Sequence, residues 1–121
     1  MRHILIVDDE RDICDCLGHY FDARGFAVTT VFSGEEALSA LARQSVDVLL
    51  LDVLLPGISG LEVLRRAKAL RPNVRVVMVS SFDEREFREQ ARVHGACAFV
   101  AKPFDLSDRT WEPVLTTPEP R

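Results

Sequence analysis

Apolar residues fall in five short runs along the chain: "HILIV" (3–7), "FAVTTV" (26–31), "VDVLLL" (46–51), "VRVVMV" (74–79) and "CAFVA" (97–101). They are rich in Val and Ile and mostly do not alternate with polar residues, the pattern of strands covered on both faces by helices. Between the runs the apolar spacing becomes helical. Ile13, Leu17, Tyr20 and Phe21 make one stripe, and Gly25 supplies a stop. Ser33-Gly34-Glu35-Glu36 is a capping box opening a helix with Ala37, Leu38 and Leu41 on one side. Ser59-Gly60-Leu61-Glu62 is a second box, ahead of Leu64, Ala67 and Leu70, and Pro72 closes that helix. Asp83 is placed to cap a fourth helix, which carries Phe87 and Ala91 and stops at Gly95. Strand and helix thus alternate five times. The pattern predicts an α/β fold with right-handed crossovers and a doubly wound parallel sheet between two helical layers.

The last segment, "DLSDRTWEPVLTTPEPR", breaks the pattern. A helix can start near Asp105, but Pro113 lacks an N–H and ends it after about two turns. The expectation is a domain over residues 1–112 with a short or broken last helix, then a tail or linker start over 113–121.

Composition narrows the possible roles. A chain of 121 residues, 47% hydrophobic and 28% charged, suits one domain with a single core. Its net charge of −4 argues against the basic footprint of a nucleic-acid surface. No apolar stretch approaches the roughly 20 residues of a membrane span, and the apolar part of "MRHILIVDDE" is too short for a signal peptide. Cys14, Cys16 and Cys97 form no even framework, and Cys14 and Cys16 stand two apart on a helix, facing different ways. They read as small apolar fillers in a reducing cytoplasm, which is the expected location. His3, His19 and His94 show no ligand spacing.

The candidate chemistry lies where the strands end. Asp8-Asp9 follow the first run, Asp52 the third, Ser80-Ser81 the fourth and Lys102-Pro103 the fifth. In an open parallel sheet all of these lie on the carboxyl edge, where ligands bind at the point of strand-order reversal. With the order 2-1-3-4-5 that crevice lies between the first and third strands, where the carboxylates stand. Asp52 interrupts the apolar stretch "VDVLLLDVLLPGISG". At the open edge it escapes the cost of an unpaired carboxylate in the core, several kcal/mol.

Three acids in one crevice need compensation. Two unit charges about 4 Å apart repel by roughly 4 kcal/mol at an effective dielectric near 20. Lys102 alone leaves a negative surplus. A hard divalent cation is the natural complement, and Mg²⁺ binds carboxylates together with waters and a phosphate. A cation, a lysine and hydroxyls facing one carboxylate suit phosphoryl transfer, with Asp52 as a covalent nucleophile. Each residue alone has a plainer reading: Asp8-Asp9-Glu10 as solvated acids at a helix start, Ser80 as a turn residue, Asp52 as a structural carboxylate. Their place at the same end of different strands is the specific signal.

The ordered set "LIVDDE", "DVLLLDVLLPGISGLEVL", "VVMVSS" and "AFVAKPF" resembles the receiver domain of bacterial two-component response regulators, of the chemotaxis-receiver type, over residues 3–106. The resemblance implies a flavodoxin-like (βα)5 fold with strand order 2-1-3-4-5. It implies that Asp52 accepts a phosphoryl group from a phosphohistidine of a sensor kinase or phosphotransfer protein. Asp9 would be a direct Mg²⁺ ligand, Asp8 would hold the ion through water, and Asp52 and the backbone carbonyl of Leu54 would complete the protein's share. Lys102 would pair with the phosphoryl oxygens, and Pro103 would follow a cis peptide. Ser80 occupies the place of the hydroxyl that turns to the phosphoryl group. Phe99 occupies the aromatic switch position, often Tyr in relatives, and it cannot form the hydroxyl's hydrogen bond. Leu54 and Phe82 stand at the positions that control water access at the mouth of the site. The downstream effector is not legible, and no nucleic acid or membrane is an expected partner.

Two rival classes share part of this pattern. Dehalogenase-like phosphatases also place an Asp nucleophile after a strand with Mg²⁺, but they carry a second acid two residues on, where this chain has Leu54. A degenerate receiver acting as a phosphate-independent binding module would lack site charges, and here all are present. The expected activity is therefore self-phosphorylation and slow autodephosphorylation only, not turnover of a separate substrate.

Overall fold

In the computed structural model, which describes residues 1–81 and 85–120, the five runs become one parallel sheet. Its strands are β1 (His3–Val7), β2 (Ala27–Val31), β3 (Val48–Asp52), β4 (Arg75–Ser80) and β5 (Ala98–Ala101), in the order β2-β1-β3-β4-β5. The helices are α1 (Arg11–Asp22), α2 (Gly34–Arg43), α3 (Gly60–Leu70), α4 (Arg85–Val93) and the single turn α5 (Glu112–Leu115). Asp83, expected to cap α4, and Phe82 lie outside the described residues. No described helix is long and apolar enough to cross a membrane.

Side chains alternate across a strand, so a fully apolar strand feeds two cores at once. Leu5, Val7, Leu49, Leu51, Val76 and Met78 pack with Ala37, Leu41, Val63, Leu64 and Ala91 of α2, α3 and α4. Ile4, Ile6, Val48, Leu50, Val77 and Val79 face the other way, against Cys14, Leu17, Tyr20 and Phe21 of α1 and against Trp111 and Val114. Every residue of the central strand β3 is buried, whereas the edge strand β2 is half-buried throughout. Each fully buried Leu or Val contributes about 1.5–3 kcal/mol.

The helix signals behave as their chemistry requires. The Ser33 hydroxyl accepts from Glu36 N at 3.1 Å and donates to the Glu36 carboxylate at 3.2 Å. Ser59 caps α3 by accepting from Glu62 N at 3.2 Å, but the Glu62 carboxylate turns to Arg65 and Arg66. Gly25, at φ 87°, lets Phe26 N–H close onto Phe21 O at 3.1 Å and ends α1.

Two expectations need correction. Cys14 is buried, but Cys16 and Cys97 are exposed and fill no core. Pro113 does not end a helix that began near Asp105; it sits in the first turn of α5, where a missing N–H is harmless. Ahead of α5 the chain makes a turn in which the Asp105 carboxylate accepts from Ser107 N at 3.2 Å, Ser107 Oγ at 2.7 Å and Thr110 Oγ1 at 2.6 Å. Trp111 is fully buried and donates Nε1–H to Asp105 O at 2.8 Å. Val114 and Thr117 are also buried, so packing continues past residue 112.

Candidate functional site

The strand register brings the polar strand ends to one edge. Asp52 is the last residue of β3 and pairs with Val79; Ser80, the last of β4, pairs with Ala101. Asp8 directly follows β1, beside β3 in the sheet, and Lys102 directly follows β5. Asp8 and Asp52 are only 3% and 5% exposed. Both are satisfied. Lys102 Nζ donates to Asp8 Oδ2 at 2.9 Å and to Asp52 Oδ2 at 3.1 Å, bridging two neighbouring strand ends. Asp52 Oδ1 also accepts from Leu54 N at 3.2 Å, and Asp8 Oδ1 from Glu10 N at 2.9 Å. Asp52, which interrupts the apolar stretch, is thus buried with partners at the sheet's open edge.

Charge remains unbalanced. Burial pushes the Asp52 carboxyl above its ordinary value, the nearby Asp8 pushes it further, and Lys102 and the Leu54 N–H only partly offset this. Burial acts to lower the Lys102 ammonium, but Asp8 and Asp52 outweigh it and the net shift is upward. The Cys14 thiol, which donates to Asp8 O at 3.3 Å, is raised to about 11 by burial and by Asp8, so it stays neutral beside the acids.

Asp8, Asp9 and Glu10 place carboxylate oxygens within 4.8 Å of one another. This donor set is all oxygen, with no thiolate or imidazole, which fits a hard divalent cation such as Mg²⁺. Asp52, also expected as a ligand, ends β3; Glu10 was not expected in this group, because an acid after Asp8-Asp9 looks the same as a solvated helix start.

The remaining expected residues have the following places in the fold. Ser80 is fully buried at the end of β4. The Lys102–Pro103 peptide is cis. Leu54 is 58% exposed, at the mouth beside Asp52, whereas its expected companion Phe82 is outside the described residues. Phe99 lies half-buried in β5, edge-on to Phe87 at 6.2 Å between centroids, with the Arg88 guanidinium 4.8 Å over its ring. A clamp the sequence did not signal lies behind the site: Asp108 accepts from Tyr20 Oη at 2.5 Å and Arg24 Nε at 2.6 Å, tying the segment after β5 to α1.

Fold and strand-end acids together define a doubly wound receiver of the CheY type. Residues 4–110 match the response regulator receiver domain, and the chain belongs to that family. It is 33% identical over 105 residues to sporulation initiation phosphotransferase F of Bacillus subtilis, covering 87% of this chain and 85% of that protein. It is 35% identical over 104 residues to the response regulator SaeR of Staphylococcus aureus, covering 86% of this chain but only 45% of SaeR. Among solved structures, a CheY-like receiver domain protein from Methanospirillum hungatei superposes with a TM-score of 0.89 at 28% identity, covering 95% of this chain and 94% of that one.

Proposed function

We propose that Asp52 accepts a phosphoryl group from a phosphohistidine on a sensor histidine kinase or phosphotransfer protein in the cytoplasm. The observation that carries this reading is the Lys102 bridge, which orients one buried carboxylate at the open end of the central strand. An Asp52 oxygen attacks phosphorus, the P–N bond breaks, and the imidazole nitrogen leaves with the electron pair and takes up a proton. Asp8, Asp9 and Asp52, with the Leu54 carbonyl, would hold Mg²⁺, which when bound neutralises charge on the transferring group. Lys102 keeps its ammonium against the new phosphoryl oxygens. Hydrolysis reverses the acyl phosphate when water attacks phosphorus and the Asp52 carboxylate leaves.

The readout follows from added charge. A phosphoryl group brings about −1.5 to −2 charge and three strong acceptors. Ser80 turns to donate to one of them, and Phe99 takes the space released, shifting the surface of α4 and β5 toward a partner. Phe99 has no hydroxyl, so its outward state rests on ring contacts such as those with Phe87 and Arg88. The receiver proper is read as residues 1–112, with 113–121 beginning a tail or linker whose first residues stay packed on it. Leu54 stands where a phosphatase of the dehalogenase-like class needs its second acid, which disfavours that rival.

The test is labelling with acetyl phosphate in Mg²⁺, read by intact mass. The full chain takes up one phosphoryl group, and Asp52→Asn takes up none. Stoichiometric labelling of Asp52→Asn moves the acceptor elsewhere.

A further inference from the structure

Lys102 has three carboxylates in reach, at 2.9 Å (Asp8), 3.1 Å (Asp52) and 3.7 Å (Glu10). The first two are buried; Glu10 is exposed. Glu10 is the N-cap of α1, yet its side chain caps nothing. Its backbone is fixed instead, since Glu10 N–H donates to Asp8 Oδ1 at 2.9 Å and Glu10 O accepts from Cys14 N at 3.2 Å. A held main chain therefore presents a carboxylate whose ion-pair partner among the described residues is Lys102.

Asp8 has two claims on it if the site takes a divalent cation: the ion and Lys102. A lysine that lost Asp8 and gained nothing would either follow it, opposing the ion, or swing into solvent away from Asp52. We propose that Glu10 is a positioning residue, which takes over Lys102 from Asp8 when the cation binds and so keeps the ammonium beside Asp52. This rests on the reading of Asp52 as phosphoacceptor. Rotation of the Glu10 side chain closes the 3.7 Å gap without moving the backbone. The handover also lowers the cost of cation binding, because Lys102 no longer competes for Asp8.

The experiment is a calorimetric Mg²⁺ titration of the full chain at physiological ionic strength, on wild type, Glu10→Gln, Lys102→Met and the double variant. Glu10→Gln raises the Mg²⁺ dissociation constant about threefold to fivefold, the size of one partly exposed ion pair. In the Lys102→Met background the same change has no effect, since Glu10 acts through Lys102. Equal loss in both backgrounds overturns the proposal, because Glu10 then acts on the cation itself; no loss in wild type overturns it too. Should Lys102→Met not fold, the chain's two lysines, Lys68 and Lys102, make a second readout simple. On Mg²⁺ addition the Lys102 ε-carbon NMR signal keeps an ion-paired shift in wild type and moves to the solvated value in Glu10→Gln. Equal movement in both proteins defeats the handover. Acetyl phosphate labelling of wild type, run in parallel, separates the two readings. Absence of label defeats the phosphoacceptor role, whereas label with no Glu10 effect defeats only this inference.

Discussion

At the residue scale, the site is built from groups that fit their surroundings badly, and that misfit has a measurable cost. Burial and Asp8 together hold the Asp52 carboxyl above its ordinary value. The folded state therefore binds this proton more tightly than the unfolded chain does. Stability contributed by the protonated form is present below the ordinary carboxylate range and is lost as pH rises through the folded pKa. Asp52→Asn removes the charge and keeps the shape, so it stabilises the metal-free protein at pH 7.5 by on the order of 1 kcal/mol, a rise of roughly 4 °C in Tm. That gain shrinks in melts at pH 4.5. A variant less stable than wild type at pH 7.5 sinks the argument. The neighbouring Leu54 carries a second prediction. Its exposed apolar side chain cannot orient a water for attack on an acyl phosphate, and nucleophile positioning contributes strongly to such transfers. Leu54→Asn shortens the phosphoprotein's lifetime in excess Mg²⁺ by about threefold or more, and equal decay rates remove Leu54 from control of access. Asp8, Asp52 and Lys102 were legible in the sequence because each is a polar group ending an apolar run. Glu10 was not, because nothing in "DDE" distinguishes a carboxylate aimed at a lysine from one aimed at water.

At the element scale, legibility followed the strength of the local rule. The strands and first four helices are written in apolar periodicity and capping boxes, which work through nearest neighbours. Asp83, expected to cap α4, lies outside the described residues. The last segment obeys a positional rule with two answers: a proline breaks a helix interior but suits a first turn. Here the turn over 105–111 precedes the helix and leaves Pro113 in its first turn, and the Ser107 and Thr110 contacts to Asp105 that build this turn are unremarkable in sequence. The segment past residue 112 is also fastened from afar. Arg2 donates to Leu115 O at 2.7 Å and Thr117 O at 3.1 Å, and Arg75 donates to Pro113 O at 2.9 Å. Truncation after Glu112 strips these acceptors from two guanidinium groups and removes the buried Val114. The cost is about 3 kcal/mol in urea unfolding, whereas truncation after Pro118 is close to neutral. Equal midpoints for the two truncations show that the packed residues add nothing.

At the scale of the whole molecule, the short last helix bears on assembly. Pairing of two receivers through the face made by α4, β5 and α5 would need a broad apolar surface there. A stable pair needs roughly 800 Å² buried on each partner. Here α5 offers one turn, and both Val114 and Trp111 are already spent on the chain's own core. The α4 side of the face is also partly committed to itself. Arg92 pairs with Glu89 at 2.6 Å within the helix, and the Arg88 guanidinium lies over Phe99. Intermolecular ion pairs across the face would have to replace these at little gain, since exposed pairs are worth about 0–1 kcal/mol each. The expected outcome is that the chain stays monomeric when a phosphorylated state is mimicked by beryllofluoride. Sedimentation velocity at 100 micromolar, order of magnitude, with and without beryllofluoride and Mg²⁺, checks this. A single species near 14 kDa in both conditions is the expected result. A tight dimer that appears only with beryllofluoride and disappears in Arg92→Glu would show that a full-length last helix is not needed for pairing through this face.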